Sequence, residues 1–296
     1  MHIFGFDSYG GPDVAGVLDV PAPVPVDGSV LIETVVTTVN PADIKVRNGD
    51  RQGKFPVTFP MAMGREAAGR VITSTDPAFR PGDVVFGGTL AGTGSFAPQV
   101  LLDASQTAAV PVGVPAAEAA SVPVAAGTAW DILHELRADG LPDGGRVLVL
   151  GAGGGVGHCA VQLARHLGHQ VTGVAGAAKQ EFLGRLDATW APTVTDAATV
   201  GPVDAVIDLV GGPVLQDALT LVAGTPAPVR SVAEPAVGGG VTRRRTRAVF
   251  TELADLIAAD AFHPVISALF PFRDAAAAVA AVESGHATGK TAVLFP

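Results

Sequence analysis

Apolar residues along this chain fall into two regimes. In the first part they come in short β-branched runs: "SVLIETVVTTV" (Ser29 to Val39), "GRVITS" (Gly69 to Ser74) and "GDVVFGG" (Gly82 to Gly88). Pro and Gly turn signals cut these runs at short intervals, which predicts a mostly β domain. Near Pro115 the pattern changes. "PAAEAASVPVAAGTAWDILHELRA" suits two helices, with Pro123 breaking the first from the second. "GRVLVLGAGGGVGHCAVQLARHLGHQVTGVAG" then holds a continuous apolar run (Val147 to Leu150), a glycine turn, a helix with apolar spacing and a second β run. That order predicts a βαβ unit with a buried parallel pair. "VDAVIDLVGG" (Val203 to Gly212) predicts a further buried strand ending in glycines. "FRDAAAAVAAVESGH" predicts a late helix, and "KTAVLFP" a closing strand.

Composition narrows the class. The 296 residues, 48% hydrophobic and 16% charged, suffice for two domains with their own cores. The apolar stretches are interrupted by Gly, Pro or charge before the roughly 18 residues of a membrane span, so no membrane partner is expected. The start of the chain has no basic region followed by an apolar one, and no signal peptide is expected. A formal net charge of -9 disfavours nucleic acid, whose binding draws on Lys and Arg. The one basic cluster, Arg243, Arg244, Arg245 and Arg247, reads as a solvated face. A single cysteine, Cys159, forms no internal disulfide and fits a reducing cytoplasm. It reads as a small buried filler near a helix start.

The glycine turn carries the chemistry. Leu148 to Leu150 lead into Gly151, Ala152, Gly153, Gly154, Gly155, Val156 and Gly157. Small residues there let the backbone turn off a strand, approach a pyrophosphate and pack the next helix on the sheet. The helix N-terminus then presents N–H groups and a positive dipole end to the phosphates. The turn lies between a predicted strand and helix, the context a dinucleotide site requires. An NAD site places an acid about 20 residues further on, to hold the ribose 2′-OH. Here that position falls on Ala175, Gly176 and Ala177, with no acid.

Taken together, these segments resemble the zinc-free quinone oxidoreductase branch of the medium-chain dehydrogenase/reductase superfamily. The likeness runs through "YGGPDV" (Tyr9 to Val14), "VNPADIKVRNG" (Val39 to Gly49), "FPMAMGREAAGRV" (Phe59 to Val71) and "RPGDVVFG" (Arg80 to Gly87). It continues in "AAGTAWDIL" (Ala125 to Leu133), the glycine turn, "DAVIDLVGG" and "GHATGKTAVLFP". The resemblance implies an α/β protein: a GroES-like, mostly-β catalytic domain (1–117, completed by 263–296) and a Rossmann domain with a doubly wound parallel sheet (118–262). It also implies a homodimer that reduces quinones or activated double bonds with NADPH, and the Ala, Gly, Val and Arg bias with little Lys suggests by analogy a place in secondary metabolism. Two further readings stay open: a nucleotide-binding redox sensor or structural protein without turnover, and a member turned to non-redox chemistry such as cyclisation.

The family pattern also marks individual residues. Where zinc-dependent relatives have a ligand Cys this chain has Asn40, and where they have a ligand His it has Arg65, beside Glu66. One carboxylate holds no zinc, so no metal is expected. The resemblance places Asn40, Asp43 and Lys45 beside the nicotinamide. Asn40 would hold a carboxamide or substrate oxygen, Asp43 would orient neighbours, and Lys45 would either donate a proton or face solvent. It assigns Thr128, Val210, Gly211, Ser231, Val232, Ala233 and Phe250 to the nicotinamide end, and Lys179 to a 2′-phosphate admitted by Ala175 and Gly176. The stretch "AGTPAPVRSVAEP" departs from the family turn, and the region from Gly238 to Phe250 is short.

Overall fold

The computed structural model describes residues 1–222 and 228–296; the first residues of "AGTPAPVRSVAEP" therefore lie outside the described residues. In chain order the first elements are β1 (His2–Phe6), β2 (Ala15–Asp19), β3 (Ser29–Thr38), α1 (Pro41–Arg47), β4 (Met61–Ala62), β5 (Glu66–Ser74), β6 (Val84–Thr89) and β7 (Gln99–Ala109). The middle of the chain holds α2 (Ala116–Ala120), α3 (Gly127–Ala138), β8 (Arg146–Leu150), α4 (Gly155–His166), β9 (Gln170–Val174), α5 (Gln180–Arg185), β10 (Thr189–Ala191) and α6 (Val194–Ala197). The last are β11 (Ala205–Asp208), α7 (Gly212–Leu219), β12 (Val229–Ser231), α8 (Pro235–Gly238), α9 (Arg247–Ala258), β13 (Ile266–Pro271), α10 (Ala275–Glu283) and β14 (Lys290–Leu294). Among the described residues no helix is long and apolar enough to cross a membrane.

Two compact units emerge. The first comprises Met1–Val124, Arg245–Ala259 and Val265–Pro296; the second comprises Ala125–Arg244 and Asp260–Pro264. In the first, a six-stranded sheet runs β13-β14-β3-β5-β6-β7, and β3 also pairs with β7. That extra pairing curls β3, β5, β6 and β7 into a closed ring, which removes free edges. Its interior is filled by alternate side chains such as Val30, Ile32, Val71, Val85, Val100 and Leu102. A second cluster, with Phe4, Phe6, Ile44, Met63, Phe96 and Val279, packs around α1 and α10.

The second unit is a five-stranded parallel sheet in the order β10-β9-β8-β11-β12. The chain steps outward from β8 to β9 and β10, then returns to the other side of β8 for β11 and β12. Parallel neighbours of this kind need crossover connections, and right-handed ones put linking helices on both faces of such a sheet. Strands covered on both faces must be apolar throughout, which explains the unbroken run from Val147 to Leu150.

The boundary of the second unit differs from the sequence expectation. Helix α9 was expected with the nucleotide domain, but it packs on β7 in the first unit. Its stripe Phe250, Leu253, Ala254 and Ile257 needs an apolar sheet face, and helical periodicity alone does not say which sheet supplies it. Phe250, expected to cap a nicotinamide, is fully buried 6.2 Å from the Phe86 ring and offers no surface to a ligand.

The arginine segment is only partly a solvated face. The Thr242 N–H donates to Glu135 and the Arg244 N–H to Asp131, both at 2.9 Å. These acids lie one turn apart on α3, and burial pushes the Asp131 carboxyl above the usual range. Arg247 pairs with Asp76 and stacks on Phe79, 4.6 Å from the ring centroid.

Candidate functional site

Strand register in the second unit aligns Ala191, Val174, Leu150, Asp208 and Ser231 in one row across the sheet. This is the row where the strands end. The order reverses between β8 and β11, and open α/β sheets bind ligands outside the strand ends at such a switch point. The glycine turn begins one residue past Leu150, at that point.

Each glycine of the turn answers a different geometric demand. Gly151 has φ +77°, in the left-handed region, and closes the turn against Val210. At Gly157 a Cβ would come within 2.2 Å of the Gly151 carbonyl oxygen and 2.7 Å of Ala152 Cα, so only glycine lets α4 approach the strand this closely. At Gly154, the N-cap of α4, a Cβ would stand 3.4 Å from the Gly151 oxygen, an ordinary contact. Small size at Gly154 therefore answers to something outside the chain's own packing. Gly155, Val156 and Gly157 form the first turn of α4, where backbone N–H groups lack intrahelical partners. A pyrophosphate supplies the acceptors such a cradle needs.

On the β9 side of the turn, Ala175 is nearly buried and Gly176 is exposed. The Trp190 indole N–H donates to the Ala175 carbonyl at 2.9 Å and pins this loop to β10. Lys179 bends back over the turn: a Cβ on Gly153 would lie 2.3 Å from Lys179 Cδ. Burial pushes the Lys179 ammonium below its usual range, a condition that a bound anion would reverse. On the other side, Val210 is 52% exposed beyond β11, Val232 is half-buried and Ala233 is exposed beyond β12. Ser231 is fully buried and touches no open surface, contrary to the expectation that it contacts cofactor. Thr128 lies buried in the first turn of α3.

The residues expected to be catalytic lie in the first unit, and their side chains are largely committed there. Asn40 is buried; its Nδ2 donates to Glu66 Oε1 at 2.8 Å and its Oδ1 accepts from Lys290 Nζ at 2.7 Å. An amide held at both ends is a poor grip for a carboxamide or substrate oxygen. Asp43 is also buried. It caps α1 by accepting from the Asn40 N–H at 2.9 Å and pairs with Arg65 at 2.8 Å. Burial nonetheless holds the Asp43 carboxyl above the usual range, with Arg65 opposing. Lys45 is exposed on α1, while Asp43, Ile44, Val46 and Arg47 beside it are buried.

Sequence reasoning missed the centre of this cluster. Glu66, wholly buried, accepts from Thr38 Oγ1, Asn40 Nδ2, Lys290 Nζ (3.0 Å) and the Val124 N–H (2.7 Å). Lys290 is itself 2% exposed. A lysine opening a closing strand that ends in Ala, Val and Leu was the available signal, because a buried ammonium requires a carboxylate partner. The same geometry speaks against a metal here. The Glu66 carboxylate already has four donors, Arg65 is a cation, and among the described residues no group of three His, Cys, Asp or Glu could hold an ion.

Comparison with known proteins adds family evidence. Residues 26–112 match the family model described as alcohol dehydrogenase GroES-like domain, and residues 176–293 the one described as zinc-binding dehydrogenase. The chain is 37% identical over 196 residues to the chloroplast envelope quinone oxidoreductase homolog of Arabidopsis thaliana, a match covering 64% of this chain. It spans 59% of that relative's length. The structure of the quinone oxidoreductase from Coxiella burnetii superposes with a TM-score of 0.89 at 27% identity, covering 100% of this chain and 99% of that one. A mycobacterial protein complexed with NADPH superposes with a TM-score of 0.82 at 26% identity, covering 99% of each chain.

Proposed function

The chain belongs to the zinc-free, quinone oxidoreductase-like medium-chain dehydrogenase/reductases, and from that premise we propose that it reduces a quinone or an activated carbon–carbon double bond with NADPH. One observation carries the choice of cofactor. Beyond β9 the loop has no acid, and the Lys179 stem lies across the glycine turn. An acid at Ala175 or Gly176 would repel a 2′-phosphate; small residues admit it, and Lys179 neutralises it.

In this reading the bound nicotinamide supplies the hydride. The chain's residues do the rest. The turn and the first N–H groups of α4 bind the pyrophosphate, and Lys179 holds the 2′-phosphate. The loops past β11 and β12 orient the nicotinamide end. Hydride addition builds negative charge on the substrate oxygen, and a donor aimed at it lowers the barrier. Lys45, exposed on α1, is the proposed donor; Asn40 and Asp43 shape α1 beneath it. A homodimer in a cytoplasmic setting completes the proposal, and a sedimentation mass of one chain would set the dimer aside.

Two measurements test it. Absorbance at 340 nm, with a panel of quinones and enones, should fall on mixing with protein and NADPH. NADPH that binds but is not oxidised across the panel would overturn the redox reading. A hydrogen bond to a charged group contributes roughly 1.5–3 kcal/mol, about 10- to 150-fold in affinity. NADPH should thus bind at least about tenfold more tightly than NADH, and Lys179→Ala should remove most of that gap. Equal affinities in the unmutated protein would sink the assignment.

A further inference from the structure

Asp208 closes β11 as the last residue of "AVID", a strand buried along its whole length. Its side chain is wholly buried as well. Oδ1 accepts from the Val210 N–H at 3.0 Å and the Gly211 N–H at 2.8 Å, and Oδ2 accepts from Ser231 Oγ at 2.5 Å. The network continues on both sides. Ser231 Oγ accepts from the Glu234 N–H at 2.6 Å, and Glu234 Oε1 accepts from the Gly212 N–H at 2.7 Å. The Val232 N–H donates to the Asp208 carbonyl at 2.9 Å. One carboxylate and one hydroxyl thus tie the loop after β11 to the loop after β12.

A buried carboxylate is expensive unless it is fully hydrogen-bonded, and these donors are neutral backbone and hydroxyl groups. The loops it joins also touch directly. Gly211 has φ +77°, and a Cβ there would meet Ala233 and Glu234 at 3.1–3.2 Å. The exposed residues of the two loops, Val210 and Ala233, are therefore placed by backbone hydrogen bonds to Asp208 and Ser231 at or beside them.

We propose that Asp208, acting through Ser231, is the positioning residue for the nicotinamide half of the cofactor, an assignment that rests on the nucleotide reading above. The topology supports the half it serves. A dinucleotide crossing the switch point puts its pyrophosphate on the turn after β8. Lys179 and Ala175, past β9, lie on the adenosine side. The loops past β11 and β12 lie on the other side, where the nicotinamide must go. Asp208 and Ser231 end their strands in register, in the same row as Leu150.

Calorimetric titration of the full chain with NADPH and with 2′,5′-ADP, which lacks the nicotinamide half, tests this. Asp208→Ala should weaken NADPH about 10- to 150-fold. It should leave 2′,5′-ADP within about twofold, because none of the side-chain hydrogen bonds it removes goes to Lys179 or to the glycine turn. Ser231→Ala, a milder change that keeps the two loop N–H bonds, should weaken NADPH alone by about three- to tenfold. Asp208→Asn, whose Oδ1 still accepts from Val210 and Gly211, should lose less than Asp208→Ala. Equal losses for both ligands would mean a merely structural role, and no loss for NADPH in Ser231→Ala would break the link; either overturns the assignment. An unmutated chain that binds NADPH no more tightly than 2′,5′-ADP overturns it too. One that binds neither overturns the nucleotide site itself.

Discussion

Gly157→Ala is expected to lose nucleotide binding and stability together, whereas Gly154→Ala loses nucleotide binding alone. The two glycines stand three residues apart, and their surroundings differ. A methyl group at Gly157 would penetrate the backbone of Gly151 and Ala152, neither of which is a flexible side-chain end. The helix must then back away from the strand, an overpacking that costs about 1–3 kcal/mol and deforms the turn. At Gly154 the backbone has φ −86°, open to any residue, and the nearest contact is an ordinary one. Stability should change by less than about 0.5 kcal/mol. In the proposed nucleotide site the added methyl would stand in the path of the pyrophosphate, so NADPH affinity should fall at least about tenfold. Thermal denaturation with and without NADPH separates the cases. A Gly157→Ala protein that melts and binds like the parent would refute the geometry of the turn.

The second large effect is expected at Lys290. Breaking a buried ion pair by removing one partner costs about 3–5 kcal/mol, because the remaining charge stays buried. Lys290→Met leaves Glu66 with Thr38, Asn40 and Val124 as donors, but without a cation. It also frees Asn40 Oδ1, which loosens the start of α1. Adding Glu66→Gln should recover a substantial part of the loss, since the two changes act on one network. Urea denaturation of the single and double variants checks both statements. A loss below about 1 kcal/mol in Lys290→Met would show the pair to be energetically idle.

The βαβ unit was legible because three local signals agreed: a run too apolar for a half-exposed strand, glycines at the turn, and helical spacing after it. The missing acid after β9 was equally legible, since the position of that acid relative to the turn is fixed by the length of a helix and a strand. Allegiance was harder to read. Helix α9 shows its apolar stripe plainly, yet two sheets were available to bury it. Polar networks were the least legible. Asp208 looks like the first residue of a surface turn, and only the pairing of β11 with β12 brings Ser231 under it. Asn40, Glu66 and Lys290 lie up to 250 positions apart, and nothing local in any of them announces the others. Asn40 shows this most clearly. Residue type was read correctly, but the partners that occupy both ends of its amide come from β5 and β14.

The division of the chain between the two units also sets an order of assembly. Strand β3, complete by Thr38, finds one neighbour only when β14 exists: Thr38 pairs with Ala292 and Val36 with Leu294. The second unit needs nothing beyond Pro264, whose approach is held by Gln162 clasping the backbone of His263 on both sides. On a ribosome, the first unit to begin is therefore the last to close. Until β14 emerges, the Val36–Thr38 end of β3 lacks that partner, the kind of interval in which nascent chains recruit chaperones.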